Sequence, residues 1–82
     1  MDDAKLVDAM VDAYIARRRK GVAFDDTAAT QAYWEYEPRF APGQAEAFAE
    51  RGSKGSVEGW KIVLRDRLAK REGAPRPVRP TR

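Results

Sequence analysis

The sequence predicts an all-α protein, a small bundle of three to four short helices with a disordered basic C-terminal tail. Three observations predict it. Apolar residues recur at helical spacing over the first twenty residues and again after residue 56. Glycines, prolines and N-capping residues fall between the periodic stretches, where helices start and stop. The last ten residues, 73–82, hold three prolines and three arginines, and a segment with that many prolines cannot continue a helix.

Residues 2–20 give the clearest element. At about 100° per residue, Leu6, Val7, Met10, Val11, Tyr14 and Ile15 form one stripe, opposite Lys5, Asp8, Asp12 and Arg19. Acids fill the first turn, and Arg17, Arg18, Arg19 and Lys20 fill the last, which suits the helix dipole at both ends. Gly21 is placed as a C-terminal cap. After the connector Val22, Ala23, Phe24, either Asp25 or Asp26 can cap a second helix over 27–37. Its shared face is Ala28, Ala29, Ala32, Tyr33 and Tyr36, and Pro38 ends it.

Pro42 reads as the first-turn proline of a third helix over 42–51, with Ala45, Phe48 and Ala49 as a narrow apolar face and Gly52 as its stop. Ser56 then caps a fourth helix over 57–71, whose stripe is Val57, Trp60, Val63, Leu64 and Leu68. Gly59 weakens its first turn by up to ~1 kcal/mol relative to alanine. A strand over 60–64 is the rival reading, and the helical spacing that continues through 65–71 decides for helix. The organisation is a helical domain over 1–72 and a Pro/Arg-rich tail over 73–82, with no internal repeat.

Composition removes several function classes. There is no cysteine and no histidine, so disulfides, thiolate metal sites, the commonest metal ligand and the usual general base are all excluded. No metal site and no cofactor is expected. The apolar runs are far too short to span a membrane, and the acidic start is unlike a secretory signal, so a cytoplasmic protein is expected. Arginine outnumbers lysine 11 to 5 and alanine is abundant, a composition that points to a GC-rich bacterial or phage genome. Leu, Ile, Val and Phe number only 14 of 82 residues, below the roughly 20% level of a well-cored domain. So thin a core favours support from self-association or a partner.

Enzymatic chemistry is not expected, nor is a small-molecule substrate. Ser53 and Ser56 flank Lys54 in a glycine-rich loop, which reads as a turn and a cap; the spacing of a phosphate-binding loop is missing. The carboxylate pairs Asp25/Asp26 and Glu35/Glu37 do not face one another on a helix. A domain this small rarely encloses a substrate pocket.

Two function classes remain. The first is a small accessory protein that acts by protein–protein binding, as an adaptor, an inhibitor or a self-associating module. Trp34 motivates it, projecting among Thr27, Thr30, Gln31 and Glu37 on the polar side of the second helix. A tryptophan there is either an interface anchor or is covered by the loop holding Phe40 or by another helix. Ile62 lies opposite the main stripe of its helix, with Ala69 beside it. Tyr33 and Glu37 complete the expected partner-binding set, within an acid-and-aromatic run that suits mimicry of a nucleic-acid surface or a basic protein partner; the plainer reading is two core tyrosines plus solvated glutamates.

The second class is nucleic-acid binding through Arg17, Arg18, Arg19 and Lys20 together with Arg76, Arg79 and Arg82 of the tail. A pI near 9.5 supports it. The plainer readings are dipole compensation and a solvated tail. A helix-turn-helix built from helices three and four fits poorly, because Trp60 and Val63 stand where polar base readers are needed. The charge is uneven: residues 21–50 carry six acidic groups and one basic, while residues 70–82 carry five basic and one acidic. If helices one and four run antiparallel, the two basic clusters sit at opposite ends; if parallel, they meet.

Overall fold

The structure, a computed structural model, describes residues 3–52 and 54–72. These form four α-helices and no strand: α1 (Asp3–Arg17), α2 (Asp26–Tyr36), α3 (Gln44–Ala49) and α4 (Ser56–Glu72), with a 3-10 turn at Glu37–Arg39 between α2 and α3. The tail expected at 73–82 lies outside the described residues, and Arg76, Arg79 and Arg82 with it. No helix among the described residues is long and apolar enough to cross a membrane.

α1 is shorter than the periodicity suggests, ending at Arg17 and not at residue 20. The Arg18 amide still closes the last turn onto the Tyr14 carbonyl at 2.8 Å. The next amide, of Arg19, donates instead to the Asp25 carboxylate at 3.1 Å. A charged acceptor further along the chain thus competes with the helix for the backbone and wins. Gly21, expected as the cap, serves the following loop, where its φ of +82° suits a residue without a Cβ.

The α2 cap is Asp25, not Asp26. Its side chain accepts from the Ala28 amide at 3.1 Å, the ordinary N-cap bond, and its own amide donates to the Tyr14 hydroxyl at 3.0 Å. Pro38 falls inside the 3-10 turn and stops α2 there. α3 is also shorter than expected. Pro42 precedes it in a turn, and Gly43, with φ +90°, is its N-cap, so only Gln44–Ala49 is helical. α4 begins at Ser56, and the rival strand over 60–64 is absent.

All four helices feed one core. Its largest fully buried side chains include Trp60, Tyr14, Tyr33, Leu6, Met10 and Leu64. The rings of Tyr33, Phe40, Phe48 and Trp60 form a connected cluster with centroids 5.3 to 6.2 Å apart. The Trp60 indole N–H donates to the Ala29 carbonyl at 2.8 Å, so the polar atom of this buried ring is satisfied. Ala28, Ala29 and Ala32 are buried. Ile15 departs from its stripe: it is 37% exposed, because it lies at the edge of the apolar arc.

Three contacts set the sense of α2 and α4. Asp26 pairs with Lys61 at 2.7 Å, the Ala29 carbonyl meets Trp60, and the Tyr33 and Ser56 hydroxyls bond at 2.8 Å. Advance along α2 is retreat along α4, so the two run in opposite senses. Two ion pairs set α1 against α4: Asp8 with Arg67 at 2.7 Å and Asp12 with Arg71 at 3.0 Å. One turn forward on α1 is one turn forward on α4, so these helices run in the same sense.

α3 and α4 approach through glycine. Gly59 lies beneath the Phe48 carbonyl, so close that a Cβ there would overlap it, and a Cβ on Gly52 would stand 2.5 Å from the Gly59 amide nitrogen. Gly59 is therefore not a flaw tolerated in α4 but the reason α3 can lie against it.

Candidate partner-binding surface

Tyr33 and Trp34 are neighbours on α2, and the 100° between them separates core from surface. Tyr33 faces α4 and is only 2% exposed. Expected among the contact residues, it is a core side chain with no surface to offer. It has a different use. Its hydroxyl is tied to Ser56, and Phe40 meets its ring edge-on with centroids 5.3 Å apart. Trp34 in turn sits edge-to-face against Tyr33 at 4.9 Å with an interplanar angle of 85°. The indole is braced from below and open above: Trp34 is 57% exposed, the most exposed large apolar side chain among the described residues. The loop holding Phe40 does not cover it; Phe40 packs on the core side of Tyr33 instead.

Glu37, at the start of the 3-10 turn, is exposed. Glu35 is also exposed and pairs with Arg17 of α1. Two exposed acidic residues thus lie within three positions of Trp34, one of them already paired. Ile62 is 39% exposed on α4. It follows Lys61 and lies opposite Trp60, both of which face α2, so it is turned away from the α2 side and does not extend the Trp34 surface. Around it Glu58, Arg65, Asp66 and Ala69 are exposed, so Ile62, with only the small Ala69 beside it, is the one large apolar side chain on a mostly charged face.

The basic cluster is divided by its contacts. Arg17 reaches Glu35 on α2. The Arg18 guanidinium lies over the Tyr14 ring at 5.9 Å. Arg19 is held by Asp25, with Nε 3.1 Å from Oδ2. Lys20 has no ion-pair partner among the described residues. The Asp25 carboxylate is 2% exposed, and the Arg19 side chain, together with the Ala28 and Arg19 amides, holds its pKa down at about 2 against the opposing effect of burial. At Lys61, burial pushes the ammonium down, but the hydrogen bond and charge of Asp26 and the charge of Glu58 outweigh it and leave the pKa raised.

Because α1 and α4 run in the same sense, their C-terminal ends lie together, and Lys70 and Arg71 come to the same end as Arg17, Arg18, Arg19 and Lys20. Most of these charges are compensated in place: Arg17 by Glu35, Arg19 by Asp25, Arg71 by Asp12 and Lys70 by Asp66 at 3.9 Å.

Sequence reasoning did not find a groove that lies at this end. It has a volume of about 520 Å³ and is lined by apolar Ile15, Val22 and Ala23 and basic Arg18, Arg19 and Lys20. The signal available was the position of Ile15 at the margin of its stripe, separated from four consecutive cations by Ala16 alone. Family models, curated proteins and solved structures give no match to this chain.

Proposed function

We propose that this protein is a small non-enzymatic binding module that engages another protein through Trp34. The observation that carries the reading is the braced, exposed indole: 57% of Trp34 is open to solvent while its inner edge rests on a tyrosine fixed in the core. Tryptophan is the side chain most enriched among residues that dominate interface energies. An anchor already held in place loses little side-chain entropy on binding. The exposed Glu37, three residues on, favours a partner whose recess for the indole carries basic side chains.

The test compares the wild-type chain with Trp34→Ala as baits for chemical cross-linking and capture. A partner retained by the first and lost by the second is the expected result. Ile62→Ser serves as the control and is expected to capture normally. Equal capture by the wild type and Trp34→Ala sinks the reading.

Nucleic-acid binding is favoured by one observation, the shared end of α1 and α4 with its basic side chains. It stands second because most of those arginines already face carboxylates. It requires an association with short DNA or RNA duplexes that weakens steeply as salt rises, and Lys20→Glu is the variant that would reduce it. Fluorescence anisotropy that shows no binding at low salt removes it.

A further inference from the structure

The exposed indole and the groove at the end of α1 are complementary. Trp34 is a large apolar side chain flanked by Glu35 and Glu37. The groove has apolar lining from Ile15, Val22 and Ala23 beside three consecutive cations. Its volume, about 520 Å³, is within the usual range for a pocket that receives one compact group, roughly 300–1,000 Å³. One surface is an aromatic knob with acidic neighbours; the other is a basic, largely polar recess with three apolar side chains in its lining. Both belong to the same chain.

We propose that the partner engaged by Trp34 is a second copy of this chain, whose groove at Ile15, Val22 and Ala23 receives the indole while Arg18, Arg19 and Lys20 face Glu35 and Glu37. This rests on the reading of Trp34 as a contact residue and names its occupant. Contact of the indole with the apolar and cationic side chains of the groove supplies attraction, and the opposed charges supply orientation and speed of encounter. Arg19 and Glu35 each keep an internal partner, Asp25 and Arg17, so Lys20 and Glu37 carry most of the charge matching. A contact built on one anchor belongs to the weak, transient class of interfaces, below about 1,200 Å² of total buried surface.

The experiment is sedimentation velocity across a concentration series, paired with acrylamide quenching of tryptophan fluorescence. Trp60 is fully buried, so quenching reports on Trp34. For the wild type, the mass rises from 9.2 kDa toward twice that value, and quenching declines over the same concentrations. Trp34→Ala and Lys20→Glu each raise the dissociation constant about tenfold or more, equivalent to ~1.4 kcal/mol. A mixture of the two variants associates more tightly than either alone, because one copy retains the groove and the other the indole. Raising salt weakens the wild-type association.

A protein that stays monomeric with Trp34 fully quenchable throughout overturns the proposal, as does an association that neither variant alters. A monomer that still captures a different protein in a Trp34-dependent way overturns the second copy as occupant and leaves the partner-binding reading standing. Equal capture by Trp34→Ala removes both.

Discussion

Asp25 joins three parts of the chain through one residue. Its carboxylate caps α2 at Ala28, takes the Arg19 amide and guanidinium, and its own amide holds the Tyr14 hydroxyl of α1. The pKa consequence has a definite sign. The folded value, about 2, is below the ordinary value of 3.8. The stability Asp25 contributes is therefore complete above 3.8 and is lost as pH falls from 3.8 toward 2. Thermal unfolding followed by circular dichroism should show the wild-type midpoint falling over that interval. Asp25→Asn should start lower at neutral pH, with the gap between the two closing as pH falls. Curves that stay parallel across the interval would show that Asp25 is not the group being titrated. At this scale the sequence was half legible. That an aspartate begins α2 follows from residue type, but which of two adjacent aspartates does so depends on Arg19 and Tyr14, and no local pattern contains them. The exposure of Ile15 and the burial of Tyr33 were legible to different degrees. Ile15 lay at the edge of its apolar arc, and Tyr33 lay on the shared face of its helix.

The elements were legible where periodicity is long and obscure where contacts from elsewhere decide them. α1, α2 and α4 each carry enough apolar repeats to be seen, while their ends moved by up to three residues. α3 is six residues long, too short to be stable alone. It exists because Phe48 inserts among Tyr33, Phe40 and Trp60 and because Gly59 leaves room for the Phe48 carbonyl. This reverses the usual effect of removing a helix glycine. In an unconstrained helix, Gly59→Ala would stabilise by up to ~1 kcal/mol. Here the added methyl meets backbone, which cannot rotate away, and the expected outcome is a loss of about 2 kcal/mol or more from overpacking. Urea unfolding measures it directly. A gain in stability, or no change, would mean that α3 does not lie against α4 as described. Within α4 itself nothing announces this role, because the residue that needs the space is eleven positions away on another helix.

At the scale of the whole molecule, the relative sense of α1 and α4 was the feature most important to the basic clusters and the least legible. Two ion pairs between residues 59 positions apart fix it, and both surfaces read equally well either way round in sequence. The two tryptophans test the arrangement as a whole, because the fold assigns them opposite surroundings. Trp60 is fully buried in the core and hydrogen-bonded to Ala29, whereas Trp34 is 57% exposed. Removing Trp34 loses an edge contact with Tyr33 and little buried area, so Trp34→Ala should alter unfolding free energy by no more than about 1 kcal/mol. Removing Trp60 empties the centre of the aromatic cluster, a change that costs about 3–5 kcal/mol in well-packed cores. That is a large share of the stability of a small domain, about 5–15 kcal/mol at most, so Trp60→Ala should populate unfolded chain at room temperature. The remaining emission completes the test. Trp34→Ala retains only Trp60, and its fluorescence should be blue-shifted and resistant to acrylamide. A conservative Trp60→Phe protein retains only Trp34, and at low concentration its emission should be red-shifted and readily quenched. If the two spectra were alike, or reversed, the core would not be built around Trp60, and the indole proposed as the anchor would not be the one presented to a partner.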